Sequence, residues 1–230
     1  AWVRRLPEPV PVLDGPPDSP AAEADVGPMP IEAKPPYAEL ARWPALRYVG
    51  GIATAVCAGL LAWRIGWHPA LPAWLYLTIA GVVLAYVDIR VHLLPNAIVL
   101  PSYPIVLVLL TIGALATGEW GALLRALICG AALWALFAVA VLIYPAGMGF
   151  GDVKLAGLLG LGTGWFGAAN AVLGLVLAFC LGGLVSLGLV IARRAGRKSA
   201  VPFGPFLLVG FLLAALSGPD LISWYVGRMP

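Results

Sequence analysis

Charge is scarce in this chain. Asp, Glu, Lys and Arg make up 11% of its 230 residues, where soluble domains carry about 25%, and so low a share excludes an ordinary water-exposed surface. Cysteine is scarcer still: Cys57, Cys129 and Cys180 each stand alone in an apolar run, with no Cys-x-x-Cys pair and no neighbouring histidine. That spacing supports neither a metal site nor a disulfide framework, and the thiols read as small buried apolar side chains. Lys and Arg are dispersed rather than interleaved with aromatics, and the formal net charge is +3, so nucleic acid is not an expected partner. The opening Ala-Trp-Val-Arg-Arg turns polar, without the basic-then-apolar layout of a cleavable signal peptide. The first apolar span is therefore expected to direct insertion.

What is present is oil. Hydrophobic residues make up 61% of the chain and its mean hydropathy is +0.95. Apolar runs fall at about 48–66, 70–87, 97–117, 122–144, 154–167, 169–192 and 203–217, several close to the roughly 20 residues that cross a bilayer as a helix. The expected fold is all-α, a polytopic transmembrane helical bundle with about six to seven spans. The fifth and seventh runs are too short to cross unthinned lipid. Residues 1–46 hold 11 of the 21 prolines and 7 of the 11 acids, a composition expected to remain a disordered cytoplasmic tail, which leaves 47–230 as the membrane domain. Within that tail, "YAELARWPALRY" is expected to lie along the interface. The glycines of "GLLGLGTGWFG", Gly157 to Gly167, are expected to admit close helix neighbours to the fifth span, and Gly182, Gly183 and Gly188 to do so for the sixth.

Orientation follows from where the cations fall. With the N-terminus cytoplasmic and spans alternating, eleven of the fourteen Lys and Arg residues lie inside. Arg64, Arg125 and Arg228 lie outside or in a span, and "RRAGRKS", Arg193 to Ser199, weighs most heavily for the inside. The same alternation places Asp88 and Asp152 together at the cytoplasmic face.

Between Tyr48 and Ser217 there are three acids: Asp88, Glu119 and Asp152. Glu119 sits in a short external turn. A carboxylate at a helix centre in lipid costs about 2.5–3.5 kcal/mol, less near an end, so the other two need a partner or a task. Ordinary interfacial pairing with Arg90 or Lys154 accounts for either one alone. One helical hairpin separates the two, however, and it can return them side by side. Carboxyls within a few Å hold one proton between them. The ionised member can then activate a water while the protonated member polarises a carbonyl, a division of labour that hydrolyses a peptide with no cofactor and no metal. The glycines around Asp152 allow an extended backbone to approach, with unusual φ available at the helix mouth.

These residues carry a family resemblance. "GMGFGDVKL", Gly147 to Leu155, resembles the Gly-x-Gly-Asp-x-Lys-Leu signature of the type IV prepilin peptidases, GxGD-type membrane aspartic proteases. "DIRVHLLPN", Asp88 to Asn96, resembles their other active-site segment, and "VPFGPFLLVG", Val201 to Gly210, is similar to a Pro-Phe-Gly-Pro stretch near their end. The resemblance covers about 48–217. It implies removal of a short basic leader from type IV prepilin or pseudopilin precursors at the inner (plasma) membrane, with Asp88 and Asp152 as the catalytic pair. Gly149, Gly151, Lys154, Pro95 and Asn96 are implied to bind substrate or shape the site. Longer members carry two Cys-x-x-Cys pairs in an N-terminal segment linked with N-methylation. The Pro-rich tail has none, so N-methyltransferase activity is not expected. The rival reading is a small ion- or proton-coupled transporter, in which paired acids carry ions.

Other polar and aromatic positions carry simpler expectations. Arg90 and His92 are read as headgroup contacts near Asp88, and His68 as a solvated turn residue. Trp67, Trp74, Trp120 and Trp165 are read as an outer aromatic belt. "PFGPF" is left as either a kink or a re-entrant turn.

Overall fold

The computed structural model describes the backbone of residues 44–91, 94–144, 148–192 and 202–226, with side chains from Tyr48 to Ser217 within those ranges. The expected tail up to residue 43, His92, Gly147, "RRAGRKS" and Arg228 lie outside the described residues. So does the "YAELARWPALRY" segment, apart from its last residues. Seven helices are found among the described residues, and no strand: α1 Pro44–Ile65, α2 Leu71–Val91, α3 Asn96–Thr117, α4 Trp120–Ile143, α5 Phe150–Phe166, α6 Ala168–Ile191 and α7 Gly204–Val226.

The chain is an all-α, multi-pass membrane bundle. Among the described residues, five helices are long and apolar enough to cross a bilayer: α1 from Tyr48, α2, α3, α4 and α6. This corrects the expected six to seven spans. With its 17 residues, α5 reaches only about 25 Å at 1.5 Å per residue, and the side chains of α7 are described over Gly204–Ser217 alone. Burial is the physical reason α5 does not need the length. From Asp152 to Trp165 every residue except Lys154 is buried, so neighbouring helices rather than lipid surround it.

The peripheral helices show the opposite pattern. Ile52, Val56, Leu60, Leu115, Leu124, Leu142, Leu184 and Ile191 are all exposed, as an apolar solvent requires. Of the cysteines, only Cys129 is fully buried; Cys57 is partly exposed and Cys180 exposed, which corrects the expectation of three buried thiols. The belt reading also needs correction. Trp67 and Trp120 are exposed, but Trp74 and Trp165 are buried. Trp74 stacks on Phe166 at 5.3 Å and Trp165 meets the His68 ring edge-on at 6.3 Å, so both fill the interior.

Helix α5 packs most extensively against α4, and α7 against α6. Glycine makes the first contact possible. A Cβ on Gly160 would lie 2.8 Å from Cys129 O, and one on Gly164 2.7 Å from Cys129 Cβ. In α6 the close approach comes from Gly174, where a Cβ would meet Phe211 at 2.8 Å, and to a lesser degree from Gly182 against Phe203. Gly183 and Gly188 have no such neighbour within 4 Å, contrary to the reading that grouped them with Gly182.

Helix ends are satisfied locally and across the bundle. Gly118 closes α3 in the left-handed region at φ 77°, its N–H donating to Ala114 O. Pro101 and Pro104 lie within α3, where Ser102 Oγ donates to Ile98 O at 2.7 Å and lies 3.0 Å from Tyr76 Oη. Arg125 donates to Gly164 O and Trp165 O at 3.1 and 2.8 Å, and Arg64 Nε to Leu216 O at 2.9 Å. These cations satisfy carbonyls that the ends of α5 and the middle of α7 present. His68, read as solvated, instead accepts from Ala70 N–H and lies 3.5 Å from Glu119.

Gly210→Ala should destabilise the fold by about 1–3 kcal/mol. The new Cβ would fall 2.5 Å from Ala178 N and 2.7 Å from Gly174 O, backbone atoms that cannot rotate away. Gly183→Ala, with open space around it, should leave the thermal midpoint in detergent unchanged or higher. Equal effects of the two substitutions would contradict this packing of α6 on α7.

Candidate active site

Asp88 lies in the last turn of α2 and Asp152 in the first turn of α5. Both are buried, at 5% and 9% exposure, and Asp152 lies within electrostatic reach of Asp88. Two acids that are distant in sequence therefore share one end of the bundle.

The surrounding residues hold the mouth of α5. Gly149 caps this helix and accepts the Asp152 N–H at 3.0 Å. Its φ of −74° and ψ of 147° are open to any residue, and a Cβ there would find nothing nearer than 3.9 Å. Neither close approach nor unusual φ therefore requires glycine at this position. Gly151 differs. Its Cβ would lie 2.9 Å from Leu94 Cβ, so the segment after α2 reaches α5 only because no side chain intervenes. Pro95 caps α3 with extended backbone, and its carbonyl accepts from Ile98 and Val99. Asn96 follows as the first residue of α3, and its Oδ1 accepts from Lys154 Nζ at 2.8 Å. Lys154 also lies over the Phe150 ring, 5.1 Å from its centroid. Pro95, Asn96, Gly151 and Lys154 thus meet beside the acids, although they come from segments more than fifty residues apart.

Two residues join this constellation that the sequence reading did not assign to it. Tyr103 Oη donates to the Lys154 carbonyl at 2.6 Å, tying α3 to the first turn of α5. Gly204 N–H donates to Asp88 Oδ2 at 3.1 Å, in a buried contact. The signal for Gly204 was the "PFGPF" stretch itself: α7 begins at Gly204, and Pro205 falls in the first turn, where a missing N–H does no harm, so the stretch opens a helix instead of kinking one. No local signal marked Tyr103. Arg90 is exposed, with its guanidinium 5.8 Å from the Tyr86 ring.

Fold and site together define a multi-pass membrane protein with a buried pair of carboxyls at one end. The model of the type IV leader peptidase family matches residues 75–187, which takes in both aspartates and stops short of Gly204. Curated relatives with the name "Prepilin leader peptidase/N-methyltransferase" are similar over most of the chain. The protein of Pseudomonas putida is 34% identical over 180 residues, 75% of this chain and 59% of the relative. That of Aeromonas hydrophila is 31% identical over 188 residues, 81% and 62%, and that of Pseudomonas aeruginosa 30% identical over 176 residues, 76% and 59%. The chain belongs to the type IV leader peptidase family. It spans about three-fifths of the length of the curated relatives it matches. No solved structure matches it.

Tyr103→Phe removes the hydroxyl bonded to Lys154 O and should cost about 1 kcal/mol, read as a lower midpoint of thermal unfolding in detergent. An unchanged midpoint would mean that this bond contributes nothing to holding α5.

Proposed function

We propose that the protein is a membrane aspartic endopeptidase that removes the basic leader from type IV prepilin-like precursors, with Asp88 and Asp152 as its catalytic pair. One observation carries the reading: two buried carboxyls from segments far apart in sequence sit at the end of α2 and the start of α5, where the segment after α2 packs on Gly151. In this reading one carboxylate takes a proton from water, and the resulting hydroxide adds to the scissile carbonyl. The protonated partner hydrogen-bonds the carbonyl oxygen as it gains charge, and a proton then passes to the departing amine. Gly151 keeps the rim open, while Lys154, Asn96 and Pro95 shape it. The N-terminus is assigned to the cytoplasm from α1 to α4 alone, where alternation puts Arg90 and Lys154 on the same side as the basic residues before α1 and only Arg64 and Arg125 opposite. That puts the acids at the cytoplasmic face of the inner membrane, where the basic leader of a precursor anchored in the bilayer would lie.

The relatives' printed names include N-methyltransferase activity. The acid pair offers chemistry for cleavage, and the proposal is limited to the peptidase. Transport is the weaker reading, since both acids lie at helix ends rather than midway along a conduction path.

Asp88→Asn and Asp152→Asn should each lower cleavage of a prepilin substrate in reconstituted vesicles by at least about 10³-fold, with helical content and insertion unchanged. Wild-type cleavage by either variant would refute the assignment, and proton flux without cleavage in the parent protein would favour the transporter.

A further inference from the structure

Asp88 is held from outside its own helix. The Gly204 N–H that reaches its Oδ2 is the first amide of α7, and the amides of a first helical turn have no intrahelical acceptor. The contact is buried at both partners. It is also sterically exclusive. A Cβ on Gly204 would fall 2.6 Å from Asp88 Oδ2 and 3.2 Å from its Cγ, so any side chain at 204 must displace the carboxyl or the start of α7. Three features of the "PFGPF" stretch converge here: a glycine that must lack Cβ, a free first-turn donor, and a helix axis whose positive end is directed at an acid.

We propose that Gly204 is a positioning residue of the active site, its backbone amide fixing the orientation of the Asp88 carboxyl. This rests on the reading of Asp88 as catalytic and extends it to a segment beyond the family match. Between Gly204 and Ser217, α7 has no titratable side chain, so what it offers Asp88 is backbone. With that amide displaced the carboxyl loses its fixed orientation toward a bound substrate, which lowers turnover more than binding.

The test is Gly204→Ala assayed for prepilin cleavage. The expected result is a kcat at least about tenfold lower with KM within about twofold of the parent. A folded variant with lower thermal stability but an unchanged kcat would mean that Gly204 merely starts α7, and would overturn the proposal. A second measurement on the glycine-containing protein covers the case in which the variant does not insert. Isotope labelling of Phe carbonyl carbons and Gly nitrogens selects three Phe-Gly amides, those of Gly151, Gly167 and Gly204. The Gly151 signal should respond most to Asp152→Asn and that of Gly167, at the far end of α5, to neither substitution. The third should shift on Asp88→Asn; if it does not, the amide does not hold Asp88. Loss of cleavage in both Asp variants with silent Gly204 signals would sink this inference alone, whereas cleavage retained in the Asp variants would sink the function it rests on.

Discussion

Burying two like-charged carboxyls at one end of a lipid-embedded bundle is the constraint to which the rest of the structure answers. Lipid offers neither water nor counter-ions, so support for Asp88 and Asp152 has to come from protein groups already in place. The structure supplies it as backbone. Gly204 N–H meets Asp88, and Asp152 occupies the first turn of its own helix. The starts of α5 and α7 therefore meet where α2 stops.

The same requirement explains the dense packing of α5. A helix that begins at a buried acid pair cannot also present a broad face to lipid, and α5 is enclosed almost completely. Gly160 and Gly164 bring it onto α4, while Gly151 admits the segment after α2. At the other end Arg125 binds the carbonyls of Gly164 and Trp165, so α5 is anchored by polar contacts at both ends, Tyr103 and Asn96 holding its first turn. Glycine in this protein serves mainly to let surfaces touch. Only at a few turns, such as Gly118, does it serve a positive φ.

Much of the architecture could be read from local pattern. Hydropathy located the seven helices found among the described residues, closely except that α7 runs nine residues past the expected 217, because an apolar run in a chain so poor in charge has one stable outcome in lipid. The Asp residues stood out for the complementary reason, being rare where charge is costly. The errors have a common origin. Trp74 and Trp165 resemble interfacial residues by composition, yet they are buried because their helices turn those faces inward. Gly183 and Gly188 resemble packing glycines, yet they meet nothing. The number of spans was overestimated because apolarity does not distinguish burial by helices from burial by lipid.

The sequence by itself determined that this is an all-α membrane protein and which acids require explanation, since hydropathy and the cost of a charge depend on each residue and its near neighbours. Only the tertiary structure decided that Lys154 reaches Asn96, that Tyr103 binds the start of α5, and that α7 opens onto Asp88. Those contacts join segments fifty or more residues apart. They depend on which helix faces lack a Cβ where they cross, and helical periodicity alone carries no record of that crossing.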